Sequence, residues 1–128
     1  VYRNLSQYES TPAQLDTQKS YNRLRPVLEY IELHYTEEQF SLDRLASLVH
    51  MNRTYFSTFF KKIMQTGVFD YINRLRVEHA CVLLTGTEKS ITEIALECGF
   101  ENVSYFNRRF KQQLGLAPGK FRKEQQKK

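Results

Sequence analysis

The chain has 128 residues, 41% hydrophobic and 26% charged, enough for one ordinary domain or two very small ones with a packed core. The formal net charge is +5 and the excess is uneven: residues 1–50 hold 5 Lys+Arg against 7 Asp+Glu, residues 51–128 hold 14 against 7, which suggests a polyanionic partner for the basic part. Cys81 and Cys98 stand outside any CxxC pair or His cluster, and no apolar run approaches the ~20 residues of a membrane span, so a disulfide framework, a metal site and a membrane-spanning helix are all disfavoured.

Residues 1–18 are polar, show no sustained apolar period and read as a linker or arm. The first helical pattern is Leu24, Val27, Leu28, Ile31 and Tyr35, with Pro26 either in its first turn or breaking it. A short helix follows, with Leu42, Leu45, Ala46 and Val49 inward and Ser41 as N-cap. After a turn at His50–Met51, Asn52 caps a third helix whose inner stripe is Tyr55, Phe56, Phe59, Phe60, Ile63 and Met64. Thr66-Gly67 breaks the chain. A long helix then runs over 68–84, with Phe69, Ile72, Leu75, Ala80 and Leu83 inward and Gly86 at its end.

Ser90-Ile91-Thr92-Glu93 matches a capping box opening a fifth helix that buries Ile91, Ile94, Ala95 and Cys98. Gly99 supplies a turn. Asn102 caps a sixth helix with Phe106, Phe110 and Leu114 inward, stopped by Gly115. Pro118 opens a last short helix holding Phe121, and residues 124–128 read as a frayed tail. A buried Cys98 thiol fits a reducing, cytoplasmic setting. No signal peptide is visible, and the start at Val1 is what a piece of a longer protein would show.

The pattern repeats. Leu42-Asp43-Arg44-Leu45-Ala46 matches Ile91-Thr92-Glu93-Ile94-Ala95 at an offset of 49 residues. Tyr55-Phe56 matches Tyr105-Phe106, and Phe60-Lys61 matches Phe110-Lys111, at an offset of 50, so the extra residue falls in the turn. Each copy is short helix, tight turn, longer helix, the layout of a helix-turn-helix. Ala46 and Ala95 supply small side chains at a close helix crossing. His50 stands where the second copy has Gly99, which leaves the first turn less well specified.

At these residues the chain resembles the AraC/XylS family of transcription regulators. The run Ile91–Arg122 (ITEIALECGFENVSYFNRRFKQQLGLAPGKFR) carries the family's second-copy signature, and Tyr71-Ile72, Arg76, Ala80, Leu83 and Leu84 its linker-helix signature; the resemblance covers roughly residues 20–123. One departure is Gln65, where the family usually has glycine, with Gly67 two residues later; the exit from the third helix is open to a different course. The implied fold is all-α, about seven helices: two homeodomain-like helix-turn-helix subdomains (20–66 and 88–122) joined by a linker helix (68–84), within a tandem module spanning 19–123.

The resemblance implies sequence-specific binding of double-stranded DNA by a bacterial regulator. Helices 52–65 and 102–114 would enter adjacent major grooves. Base-reading positions are Thr54, Ser57 and Thr58 in the first unit and Val103, Ser104, Asn107 and Arg108 in the second. Arg108 can donate two bonds to guanine, Asn107 can read adenine, and Ser57 and Thr58 are short and weakly selective. On chemistry alone the second unit discriminates more; within the family the first often makes the firmer contacts. Arg53, Lys61, Lys62, Arg109, Lys111 and Lys120 are phosphate candidates. So is Arg76, for which bracing the two units is the other reading. Lys61 is as readily a solvated surface lysine.

No cofactor or metal is implied. The family leans towards activators, with RNA polymerase as a candidate second partner and a sensing or dimerisation domain upstream of this chain. Three other functional classes compete with this reading. No GxSxG, P-loop, HExxH or Cys/His dyad supports an enzyme. A basic amphipathic membrane binder would not bury aromatic faces in short helices. A helical protein-interaction module of anti-activator type, no longer binding DNA, is the stronger rival, and the exposed cations of the basic half argue against it.

Overall fold

A computed structural model describes residues 12–37 and 39–127, and nothing about side chains at 12–16. The described residues form seven helices and no strand: α1 (Pro12–His34), α2 (Leu42–Ser47), α3 (Arg53–Met64), α4 (Val68–Gly86), α5 (Ile91–Glu97), α6 (Val103–Leu114) and α7 (Pro118–Gln126). They divide into two compact units. The first holds α1 up to Tyr30 with α2 and α3; the second holds residues 31–40 with α4 to α7.

Helix α1 corrects the reading of the N-terminal part. It starts at Pro12, so residues 12–18 of the expected polar linker or arm are helical; residues 1–11 lie outside the described residues. It also passes through Pro26. An interior proline costs about 3 kcal/mol. The apolar face at Leu24, Val27, Leu28 and Ile31 lies on both sides of the proline and is buried throughout, and burial of about 1.5–3 kcal/mol per side chain offsets that cost. At the other end α7 runs to Gln126, so residues 124–126, expected frayed, are helical too. The linker helix is no free spacer: α4 packs on α5, α6 and α7 within the second unit.

The first unit buries Leu24, Val27, Leu28, Leu45, Ala46, Phe56 and Phe60. The second buries Val77, Ala80, Leu84, Ile94, Ala95, Cys98, Phe100, Phe106 and Phe110 in one cluster. The rings of Phe56 and Phe60 sit 5.8 Å apart, tilted by 58°, and those of Phe106 and Phe110 sit 5.7 Å apart, tilted by 60°. Several expected inner residues are only half-buried, and two are exposed. Tyr55 is 49% exposed and Phe69 44%. Two polar residues that were not expected inside, Asn73 and Arg76, are buried on α4.

The repeat reaches further back than the helix-turn-helix pairs. Leu24, Val27, Leu28 and Ile31 of α1 stand 49 residues before Asn73, Arg76, Val77 and Ala80 of α4, and all eight are buried. Each unit is thus a scaffold helix beneath a helix-turn-helix. Where the first unit has Leu24 and Val27, the second has a polar pair.

Both turns close alike. The amide of Met51 donates to Ala46 O at 3.1 Å and that of Phe100 to Ala95 O at 3.0 Å. This geometry needs a left-handed residue one position earlier, and His50 (φ 58°) adopts it as Gly99 (φ 102°) does. The exit of α3 also matches that of α6. Gln65 takes φ 63° and donates to Lys61 O at 2.9 Å, as Gly115 (φ 86°) donates to Lys111 O at 2.8 Å. The missing glycine changes the cost of the exit and leaves its course intact.

Two substitutions separate cost from course. Gln65→Gly removes a left-handed strain and stabilises the chain by about 1 kcal/mol. Gly99→Ala destabilises it by about 2 kcal/mol or more, because a Cβ there would lie 2.4 Å from the carbonyl oxygen of Tyr35. Denaturant titration of both variants reads the opposite signs. The capping box on α5 adds a pH dependence. The amide and hydroxyl of Ser90 bind the Glu93 carboxylate and hold its pKa below the ordinary value. The ionised form is the stabilising one, so its contribution is present above the unfolded pKa and is lost as pH falls through the lowered folded one. Melts followed down through the carboxylate range show a smaller drop in Glu93→Ala than in the parent chain.

Candidate nucleic-acid interface

Each longer helix of a pair begins on an asparagine. Asn52 accepts the amide of Tyr55 and Asn102 that of Tyr105, both at 2.8 Å. Burying phenylalanines four residues apart on one side fixes the rotation of α3 and α6, and the helical period turns the opposite side outward.

On α3 that outward side presents Thr54, Ser57, Thr58 and Lys61, all exposed, with Lys62 exposed beside them. Arg53 is exposed too, but already engaged. It grips Asp43 of α2 with two bonds, Nε to Oδ1 at 3.0 Å and Nη2 to Oδ2 at 2.8 Å. Both partners are more than half exposed, and such a pair is worth under about 1 kcal/mol, so it yields readily to a stronger anion.

On α6 the exposed side carries Ser104, Asn107, Arg108 and Lys111, with Val103 half-buried. The Arg108 guanidinium lies over the Tyr105 ring, 5.3 Å from its centroid. Val103, Asn107, Arg108 and Lys111 line an open groove of about 530 Å³ together with Ile91 and with Ala117, Pro118 and Gly119 at the start of α7. Lys120 is exposed one residue further along α7. Arg109 points away from the groove and bonds Asp70 of α4 at 3.0 Å. Every expected base-reading residue is therefore at the surface or half-buried on the outward side of its own helix.

Arg76 departs from expectation. Its side chain is inside the second unit, 6% exposed, where no phosphate could reach it. Nε donates to the carbonyl oxygen of Tyr35 at 2.8 Å, and the guanidinium sits near the rings of Phe40 and Phe100. Burial lowers its pKa from the ordinary value. Its bond ties α4 to the segment that follows α1, within the second unit.

Three supporting residues escaped the sequence reading. Asn73 Nδ2 donates to the Tyr105 hydroxyl at 2.9 Å. Gln39 Nε2 donates to the carbonyl oxygen of Gly99 at 2.9 Å. Arg122 donates to the carbonyl oxygens of Leu84 and Thr87, tying α7 to the end of α4. Asn73 and Arg76 leave a signal, since they fall on the buried period Ile72, Asn73, Arg76, Val77, Ala80. Gln39 leaves none. Among the described residues no group of His, Cys, Asp and Glu could hold a metal ion, and no helix is long and apolar enough to cross a membrane.

Residues 45–124 match the model of a helix-turn-helix domain family. An uncharacterised HTH-type transcriptional regulator of Staphylococcus aureus (strain COL) is 35% identical over 101 residues. That match takes in 79% of this chain but only 13% of the relative's length. Among solved structures, an AraC-type transcriptional regulator of Chromobacterium violaceum superposes with a TM-score of 0.73 at 28% identity, covering 84% of this chain and 96% of that one. The DNA-binding domain of AdpA, solved with a target DNA, superposes with a TM-score of 0.71 at 28% identity, covering 79% and 90%. Tandem helix-turn-helix units on scaffold helices, the family match and these likenesses agree: the chain belongs to the AraC-type helix-turn-helix family of transcription-regulator DNA-binding domains.

Proposed function

We propose that this chain reads two stretches of one DNA duplex in sequence-specific fashion, with α3 in one major groove and α6 in the next, ~34 Å along. The observation that carries this reading is the duplicated outward side. Two helices of equal length, equally capped and equally rotated by a phenylalanine pair, each expose short polar or cationic side chains in their N-terminal halves. Thr54, Ser57 and Thr58 read bases from α3; Val103, Ser104, Asn107 and Arg108 read them from α6. Arg108 is the strongest discriminator, because its guanidinium can grip guanine O6 and N7 together. Lys61, Lys62, Lys111 and Lys120 take phosphates. Arg53 and Arg109 join them by exchanging Asp43 and Asp70 for phosphate.

The chain spans a small part of the length of the curated relative. A sensing or dimerisation domain upstream, an activating role, contact with RNA polymerase and a cytoplasmic location complete the proposal.

Binding to a duplex selected from random sequence tests it. Affinity falls linearly with the logarithm of salt concentration, and removing a phosphate contact by Lys111→Ala flattens that slope by about 1. Failure to bind any duplex at low salt would leave the protein-interaction reading in its place. Arg108→Ala costs ~1–3 kcal/mol on the selected site and relaxes preference at one base pair. Equal loss on selected and random DNA would instead make Arg108 a phosphate contact.

A further inference from the structure

We propose that Gln39 and Arg76 are positioning residues for the second reading helix, acting on its aim through the turn at Gly99 without touching DNA. The proposal rests on the reading of α6 as a DNA-contacting helix.

The turn between α5 and α6 is gripped from outside its own helix pair. Gly99 lies so close to the segment that follows α1 that a Cβ on it would sit 2.4 Å from Tyr35 O, 2.9 Å from Arg76 Nε and 3.2 Å from the Thr36 Cα. Gln39 closes this approach by donating to Gly99 O at 2.9 Å. The segment holding Tyr35 and Gln39 is in turn anchored to the scaffold helix, because Arg76 donates to Tyr35 O at 2.8 Å. Its guanidinium spans the Phe40 ring of that segment, at 5.7 Å, and the Phe100 ring of the turn, at 5.9 Å. Scaffold, segment and turn form one chain of contacts. Asn102, which caps α6, follows Gly99 by three residues, so the orientation of α6 is set where this chain ends.

Such support matters for reading bases. Direct readout requires donors held within about 0.5 Å of their places, which a turn held only by its own two helices does not guarantee. The first unit supplies an internal control. Val27 stands where the repeat puts Arg76, and a valine side chain cannot donate a hydrogen bond to any strap. The device therefore acts on one half of the footprint.

The test uses the whole chain and a duplex selected by it from random sequence. For the parent chain and for Gln39→Ala, Arg76→Met and Arg76→Lys, affinities are compared on single base-pair changes in the half read by α6 and in the half read by α3. Discrimination in the α6 half drops roughly tenfold in Gln39→Ala and in both Arg76 variants. Discrimination in the α3 half stays within experimental scatter. Equal loss in both halves, or no loss in a folded variant, overturns the proposal. Should the Arg76 variants fail to fold, Gln39→Ala alone decides, since it removes one hydrogen bond at the surface.

A DNA-free readout separates this claim from the one it rests on. In Gln39→Ala the amide of Phe100 exchanges with solvent faster while that of Met51, its match in the first unit, does not. If the parent chain binds no duplex, the DNA reading fails on its own. If the Phe100 amide is unchanged, the positioning claim fails whatever the DNA result.

Discussion

A reading helix must be held firmly on one side and left bare on the other, and a pair of phenylalanines four residues apart meets both demands. Helices of twelve residues are marginal alone in water. Phe56 with Phe60, and Phe106 with Phe110, are all fully buried, and each contributes about 1.5–3 kcal/mol of burial. The same burial removes rotational freedom. Turning either helix by one residue, about 100°, would bring a phenylalanine into water and a polar side chain into the core. The exposed row is therefore a consequence of the core, and function on that row inherits its geometry from side chains that never meet a ligand.

The turn that presents each longer helix follows from close crossing. Ala46 and Ala95 are buried at the ends of α2 and α5, and each gives its carbonyl to the amide five residues on. That closure demands one left-handed residue. Glycine takes such a conformation without strain, yet His50 and Gln65 occupy it too, at a cost of roughly 1–2 kcal/mol each. At Gly99 the demand is stricter. The left-handed φ coincides with backbone pressed against backbone, so no side chain of any kind fits. The glycines missing at His50 and Gln65 thus mean something different from Gly99, whereas Gly115, with open space around it, answers only the left-handed φ.

Much of this was legible beforehand because it is local and periodic. Caps at Ser41, Asn52, Ser90 and Asn102, the capping box at Glu93, the apolar stripes and the repeat all rest on spacings of three, four or about fifty residues. The outward positions on α3 and α6 followed from the same period. What escaped depended on partners remote in sequence. Arg76 reads as a phosphate contact or a brace between units until Tyr35 O, forty-one residues earlier, is seen beside it. Pro26 reads as a first-turn residue or a break until its flanking residues prove buried on one face. Tyr55 reads as core by analogy with its neighbours. Its match Tyr105 finds a partner in Asn73, whereas Tyr55 has Leu24 at the corresponding place and lies half in water, stacked on Phe59.

That last contrast shows how two copies of one architecture come to differ. The helix frame requires a buried residue at four places of each scaffold helix, and it does not dictate which kind. The first unit fills two of them with Leu24 and Val27; the second uses Asn73 and Arg76. A buried amide and guanidinium must be satisfied, so they recruit Tyr105 and the carbonyl oxygen of Tyr35. Apolar residues recruit nothing specific. The outer positions diverge in step: Phe59 lies under the guanidinium of Arg23, while its match Arg109 pairs with Asp70. At these scaffold positions the first unit is held by burial, which tolerates small shifts. The second adds directional bonds, which do not. A frame repeated in this way can keep two reading helices equivalent in shape while making one of them the more rigidly aimed.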